Sequence, residues 1–331
     1  MRAKSNLICY ICPTGLSKDE VPTKMEILTY QEMAQKSDLL PLMEQAFGWP
    51  FDPLEFEKNI KMDPRLRDGC VGFCAVRDRK VLGYVGVMDL TTRTADGKVE
   101  KAGGIYGVAT FPGYTRQGVC TALMNRAHEY FIEKGRRFSL LTTSPTLVAH
   151  ALYCRLGYFD VALFPSAYKM KEKTGRRKAV ERKDLSRWDF GRMLELFKEY
   201  VKSRTGFVVR DEVHLKMLVK NYEISARECI TTPKGYVIFK KEKKLARIRE
   251  LVASDHSEMR RLAGLIEEKA QNIIIGRLGI GDSAVGRMYE SRGFTVLKTG
   301  HGVLMAKELA DNASFSQSYG NSFFISALDH F

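Results

Sequence analysis

No apolar run in this 331-residue chain approaches the ~18 residues that a membrane-spanning helix needs, so no membrane partner is expected. Its first 24 residues hold one weak apolar patch, Leu7 to Cys12, broken by polar residues and followed by no convincing small-residue cleavage site. No secretory leader is expected, and a cytoplasmic protein follows. Cysteine offers no framework either: Cys9, Cys12, Cys70, Cys74, Cys120, Cys154 and Cys229 are an odd, scattered set, which reads as reduced thiols rather than disulfides. Cys9 and Cys12 have no second pair at zinc spacing, so no metal is expected. Acidic residues are outnumbered 39 to 53 by Lys and Arg, giving a net charge of +14, which favours anionic partners. A Gly-x-Gly-x-x-Gly dinucleotide fingerprint and an ATP-type phosphate loop are both absent.

What is present is ordinary for a globular chain, with 44% apolar and 28% charged residues, and the length suits about two domains. From Met25 the pattern reads as a strand, a helix over Gln31 to Phe47, a break at Trp49-Pro50-Phe51-Asp52-Pro53 and a second helix. Gly69 to Val76 and Val81 to Thr91 read as a hairpin, and Ala102 to Ala109 as the next strand. A helix with apolar positions Val119, Ala122, Leu123, Ala127, Tyr130 and Phe131 stops at Gly135. A strand at Phe138 to Thr142, a helix at Leu147 to Leu156 and a strand segment from Gly157 complete the series β-α-α-β-β-β-α-β-α-β.

Met170 to Lys183 is highly charged and marks a boundary. Beyond it the same syntax returns, and Leu152-Tyr153-Cys154-Arg155-Leu156-Gly157-Tyr158 is echoed by Met288-Tyr289-Glu290-Ser291-Arg292-Gly293-Phe294. Two copies of one domain type follow. The expected division is an extension at 1–24, a domain at 25–172, a basic linker at 173–183, a second domain at 184–309 and an aromatic tail at 310–331.

The chemistry concentrates in Gly107-Val-Ala-Thr-Phe-Pro-Gly-Tyr-Thr-Arg-Gln-Gly-Val-Cys-Thr-Ala-Leu123, a strand that turns tightly into a helix. The first-turn N–H groups of that helix lack intrahelical partners and sit at the positive end of its dipole, which suits a pyrophosphate. Gly118 lets the backbone approach the anion, and Arg116 adds a charge-assisted contact.

This stretch resembles motif A of the GNAT acyltransferase superfamily, Gln/Arg-x-x-Gly-x-Gly/Ala, with Thr115-Arg116-Gln117-Gly118-Val119-Cys120 as the matching hexapeptide. Thr115 and Cys120 depart from that pattern. Ala149-x-x-Leu152-Tyr153-x-x-x-Gly157-Tyr158 resembles motif B, with Thr146 where Asn is often found. The resemblance implies an α/β (α+β) fold of mixed, mostly antiparallel sheets flanked by helices, acetyl-CoA as cosubstrate and a primary amine as acceptor. It implies cofactor-binding roles for Val108, Ala109, Thr110, Thr115, Arg116, Gln117, Gly118, Val119, Cys120 and Thr121, and Tyr153 as the general acid. No carboxylate sits on the strand before the turn; Glu100 lies nearest and could act only through water.

The two-copy layout resembles the Eis-like branch, whose second GNAT-like domain lacks a pyrophosphate loop. Here the second strand–helix junction reads Val252-Ala253-Ser254-Asp255-His256-Ser257-Glu258, with no glycine and two acids, so that copy is expected not to bind coenzyme A. The usual sterol-carrier-like domain has no counterpart in the short tail. Eis-like enzymes can use a terminal Phe carboxylate as base, and this chain ends at Phe331, which is therefore a candidate catalytic base; a tail that caps the second domain is the other reading. A homo-oligomer is left open. A noncatalytic acyl-CoA sensor, or nucleic-acid binding through the Lys171–Lys183 and Lys240–Arg249 clusters without a recognition motif, stand as alternatives.

Overall fold

The computed structural model describes residues 24–48, 50–170, 188–270, 272–275, 278 and 283–329, with the backbone alone at 299–301. The first half runs β1 (Glu26–Thr29), α1 (Leu40–Phe47), α2 (Pro53–Met62), β2 (Gly72–Arg77), β3 (Lys80–Arg93), β4 (Val99–Thr110), α3 (Val119–Glu133), β5 (Phe138–Thr143), α4 (Val148–Arg155) and β6 (Phe159–Met170). The second half runs α5 (Phe190–Tyr200), β7 (Thr205–Gly206), α6 (Glu212–Asn221), β8 (Cys229–Thr232), β9 (Gly235–Glu242), β10 (Leu245–Ala253), α7 (His256–Lys269), β11 (Asn272–Ile275), α8 (Ser283–Ser291) and β12 (Thr295–Glu308). A tail follows with α9 (Phe315–Tyr319) and β13 (Phe323–Phe324). The α/β architecture matches expectation, with one correction near the start. Residues 31–35 are not helical; a 3-10 turn covers Lys36–Leu39 and α1 begins only at Leu40. Pro41 explains this, because proline has no N–H and is tolerated only in a helix's first turn.

The strands form one continuous sheet in the order β1-β2-β3-β4-β5-β12-β6-β11-β10-β9-β8. The two halves exchange their last strands. β12 enters between β5 and β6, pairing Val303–Glu308 with Phe138–Thr143 on one side and Gly302–Ala306 with Phe159–Phe164 on the other. Reciprocally, the end of β6 lies between β11 and the start of β12, through Ala167–Met170 and Ser166–Tyr168. Each half therefore has the same local order: an antiparallel meander, a parallel pair, the partner's last strand and then its own.

Alternate residues of β12 feed opposite faces, as a pleated strand requires. Val303 and Met305 join the core under α3 and α4, whereas Leu304 and Ala306 join the core beneath α1, α2 and the tail. The tail aromatics Phe315, Tyr319 and Phe323 pack into this second core against Phe138, and the tail's Phe324 and Leu328 enter the core of α5 and α6.

A buried charge cluster pins the tail. Arg210, 1% exposed, donates to Glu250 (2.8 and 3.0 Å) and to Asp329 (Nε to Oδ1, 3.0 Å). Glu250 also accepts from Tyr236 (2.7 Å) and Ser326 (2.5 Å). The Arg210 charge and these donors hold the Glu250 carboxyl below its usual range despite burial. Removing the cation leaves two buried carboxylates unpaired, so Arg210→Ala is expected to cost about 3–5 kcal/mol in a denaturant unfolding titration.

Candidate functional site

β4 and β5 are parallel neighbours only at Gly103–Ser139 and Gly104–Leu140, although β4 continues to Thr110 and β5 to Thr143. Beyond Gly104 the two strands part and the β5-facing edge of β4 carries no ladder. Gly107, at φ +57°, lies where the β3–β4 register slips between Gly86–Tyr106 and Tyr84–Ala109; such a bulge bends a strand and raises its twist. Val108, Ala109 and Thr110 line the stretch that follows. Ala109 is buried, and Thr110 Oγ1 is buried without a hydrogen-bond partner.

The loop from Phe111 to Gly118 then turns into α3. Thr115 Oγ1 donates to Pro112 O (2.9 Å) and Gln117 Nε2 to Gly113 O (2.9 Å), so both side chains brace the loop. Arg116 holds φ +61°, a left-handed conformation that costs a non-glycine residue about 1–2 kcal/mol. Gly118 follows at φ +80° as the N-cap, and no side chain caps the helix. The first intrahelical bond is Ala122 N to Gly118 O, leaving the N–H groups of Val119, Cys120 and Thr121 without intrahelical acceptors. Val119 and Leu123 anchor the helix in the core, while Arg116, Gln117, Gly118 and Thr121 are exposed.

α7, which follows β10 as α3 follows β4, is built the other way. Asp255 accepts from Glu258 N at 2.8 Å, and Glu258 is buried on Thr232 Oγ1 at 2.6 Å. Its positive end already holds the chain's own carboxylates.

Tyr153 projects from α4 into the core shared with α3 and β12. Its ring lies 6.0 Å from that of Tyr158, and its hydroxyl has no hydrogen bond among the described residues. Burial, and secondarily the neighbouring Cys120, raise its pKa well above the usual phenol value, so it is a proton donor at neutral pH. Cys120 is pushed up to about 11 by burial; its neutral thiol packs beside the phenol. The structure thus brings the α3 N-terminus, the opened edge of β4 and Tyr153 to one place. The features fit a thioester cosubstrate carrying a pyrophosphate: an uncapped helix end, an orphaned Thr110 hydroxyl and a strand edge without a ladder.

Other groups near the turn and in the basic cluster have structural partners. Glu100 is held by Arg137 (2.9 and 3.1 Å) and by the Tyr319 hydroxyl (2.9 Å). His150 pairs with Asp160 at 2.8 Å. Phe51 packs on Phe56, centroids 5.4 Å apart. Within the basic Lys240–Arg249 cluster, Lys240 faces Glu228 and Arg247 faces Glu242. Phe331, Trp49 and the Lys171–Lys183 cluster lie outside the described residues. Sequence reasoning missed the tail's anchors, Tyr319, Ser326 and Asp329, because their partners are more than seventy positions away; the dense aromatics of the tail were the available signal.

Residues 30–160 match the family model of an acetyltransferase (GNAT) domain. No curated protein matches the chain by sequence. Among solved structures, the chain resembles a GCN5-related N-acetyltransferase from Kribbella flavida, with 19% identity and a TM-score of 0.61 over 86% of this chain and 72% of that one. It resembles Eis1 from Mycobacterium abscessus with 15% identity and a TM-score of 0.57, over 86% and 74% of the two chains. A GCN5-related N-acetyltransferase from Sphaerobacter thermophilus is similar over 90% of this chain and 99% of its own, at 13% identity and a TM-score of 0.51. At such identities the likeness is one of fold.

His128, on α3, is a core tether: its Nε2 lies 2.9 Å from the Tyr158 hydroxyl, which lies 2.6 Å from Ser139 Oγ. Burial, aided by the Lys307 charge, lowers its pKa to about 3, and burial lowers His214 to about 3 as well. Both imidazoles stay neutral in the folded state while the unfolded chain takes up protons near the ordinary value of ~6.5. Their contribution is complete above that value and declines as pH falls toward 3, by at most ~1.4 kcal/mol per pH unit for each group. Urea midpoints are expected to fall between pH 7 and pH 5, and His128→Gln to flatten that fall by about one proton.

Proposed function

We propose that the protein, whose residues 30–160 match the family model of an acetyltransferase (GNAT) domain, is a GNAT-type acyltransferase that moves an acetyl group from acetyl-CoA directly onto a primary amine, on a small molecule or a lysine side chain. The observation that carries this reading is the uncapped α3 N-terminus beside the parted β4 edge, with a protonated phenol buried alongside.

Each part has a physical task. The free N–H groups of Val119, Cys120 and Thr121 and the Arg116 guanidinium hold the pyrophosphate. The edge of β4 through Val108, Ala109 and Thr110 takes the pantetheine arm as an added strand. That arm places the thioester carbonyl where a neutral amine attacks it, the C–S bond breaks, and the Tyr153 hydroxyl gives its proton to the departing thiolate. A buried phenolate is unfavourable, so Tyr153 recovers a proton readily.

The proton lost by the amine needs an acceptor, and Glu100 is already engaged by Arg137 and Tyr319. We assign that role to the Phe331 carboxylate, two residues beyond Asp329, which is anchored on Arg210. The second half, with the end of α7 occupied by Asp255, is read as a GNAT-like copy that does not bind coenzyme A.

Tyr153→Phe is expected to lower kcat by about 10²–10⁴ with the KM for acetyl-CoA and the unfolding midpoint nearly unchanged, because the hydroxyl makes no hydrogen bond among the described residues. Free-thiol release from acetyl-CoA with mixed amines measures this. A thermal shift with acetyl-CoA but no release would instead favour a noncatalytic sensor. Appending one residue after Phe331 moves the carboxylate and is expected to cut turnover about 100-fold without changing the acetyl-CoA thermal shift; full turnover would remove Phe331 from the mechanism.

A further inference from the structure

The second half repeats the opening between β4 and β5, and the repeat encloses a different chemistry. β10 and β11 pair in parallel only from Leu245–Asn272 to Arg247–Ile274, although β10 continues to Ala253. As in β4, a bulge follows where the strands part: the β9–β10 register slips between Phe239–Ile248 and Ile238–Glu250, and Arg249 is the extra residue. A small, half-open hollow occupies the gap. Its walls come from both faces of the sheet. Leu251, Val285 and Tyr289 belong to the core beneath α7 and α8, and Phe324 to the core beneath α5 and α6.

Among the described residues that line this hollow, Arg249 is the only Lys or Arg. Its Nε is buried without a hydrogen-bond partner, and its guanidinium lies 4.5 Å from the Tyr222 ring centre. It makes no ion pair or hydrogen bond among the described residues. The contrast with Arg210 is sharp: that buried guanidinium, in the same half, is saturated by Glu250 and Asp329. An N–H donor withdrawn from water without an acceptor is costly, and an anion reached by the Arg249 Nε–H would relieve that cost. Among the described lining residues the one carboxylate, Glu250, is engaged by Arg210, Tyr236 and Ser326, so it makes no ion pair with Arg249. A pyrophosphate is disfavoured here, since Asp255 occupies the end of α7. A single carboxylate on an apolar body fits the rest of the lining.

We propose that the cleft between β10 and β11 is a binding site for a small carboxylic acid, with Arg249 gripping the carboxylate and the apolar walls enclosing the body. Tail residues Phe324, Ser326 and Ala327 form part of the wall, so the ligand rests directly on the segment that leads to the C-terminus. The site is separate from the acetyl-CoA slot, and neither reading depends on the other.

The test titrates the full chain with sodium benzoate and, separately, with its uncharged analogue benzamide, reading binding by ligand-observed saturation-transfer NMR and by thermal shift. Benzoate is expected to bind saturably with a Kd of about 1 mM or tighter, and benzamide not to bind. Arg249→Met, which keeps the packed stem and removes the charge, is expected to weaken benzoate at least about tenfold while retaining the acetyl-CoA thermal shift. Arg116→Ala, which touches the other anion site, is expected to leave benzoate binding unchanged. The proposal is overturned if benzoate does not bind, if benzamide binds equally well, if Arg249→Met binds benzoate like the parent, or if Arg116→Ala abolishes binding.

Discussion

β12 lies hydrogen-bonded between β5 and β6, and the geometry of the candidate active site depends on that insertion. A strand can part from its neighbour only if its other edge is held, because unpaired backbone groups on both edges are costly. β5 touches β4 at two residue pairs and is fixed instead by the Val303–Glu308 ladder on its far side. The same strand builds the wall behind Tyr153, through Val303 and Met305, and Lys307 Nζ donates to Leu156 O (2.6 Å) at the end of α4. The half that carries the motifs is therefore completed by a strand that comes more than 150 residues after its turn.

The two strand–helix junctions show how a small local difference sorts similar frames into different chemistry. At the first, a glycine N-cap and a backbone turned through Arg116 expose the helix end. At the second, Asp255 fills the equivalent position and Glu258 is buried beneath it. The fold supplies the same positive dipole end in both places; capping by the chain's own carboxylate decides whether anything else can use it. The bulge residues differ in the same sense, being glycine in β4 and arginine in β10.

The tail joins the two halves along a path of polar contacts set in aromatic packing. Tyr319 reaches Thr92 and Glu100, β13 pairs with β7, and Asp329 closes on Arg210. Such buried pairs contribute less to net stability than their geometry suggests, since desolvation offsets much of the attraction. Their directionality fixes where the chain must run. A tail held only by its phenylalanines could slide; one tied at Tyr319, Ser326 and Asp329 has one register.

Nearly every helix and strand was legible in the sequence, because apolar spacing at 3.6 and 2 residues is a local property, and the turn through Gly118 into α3 was legible because its residues are contiguous. The expected early helix starts too soon because its apolar pattern hides the later start set by Pro41. The echo of Leu152–Tyr158 in Met288–Phe294 gave the repeat, but nothing local could show that the halves trade β6 and β12, since register between distant strands is chosen by the packing of both faces at once. The same holds for Glu100, which reads as a free acid near the turn and is closed by Arg137 and Tyr319, and for Arg249, which reads as one of a basic run and stands alone at a bulge. The sequence by itself determined the elements and the glycine-capped turn into α3; the tertiary structure decided which charges are paired and where the sheet opens, because both depend on contacts between residues far apart in the chain.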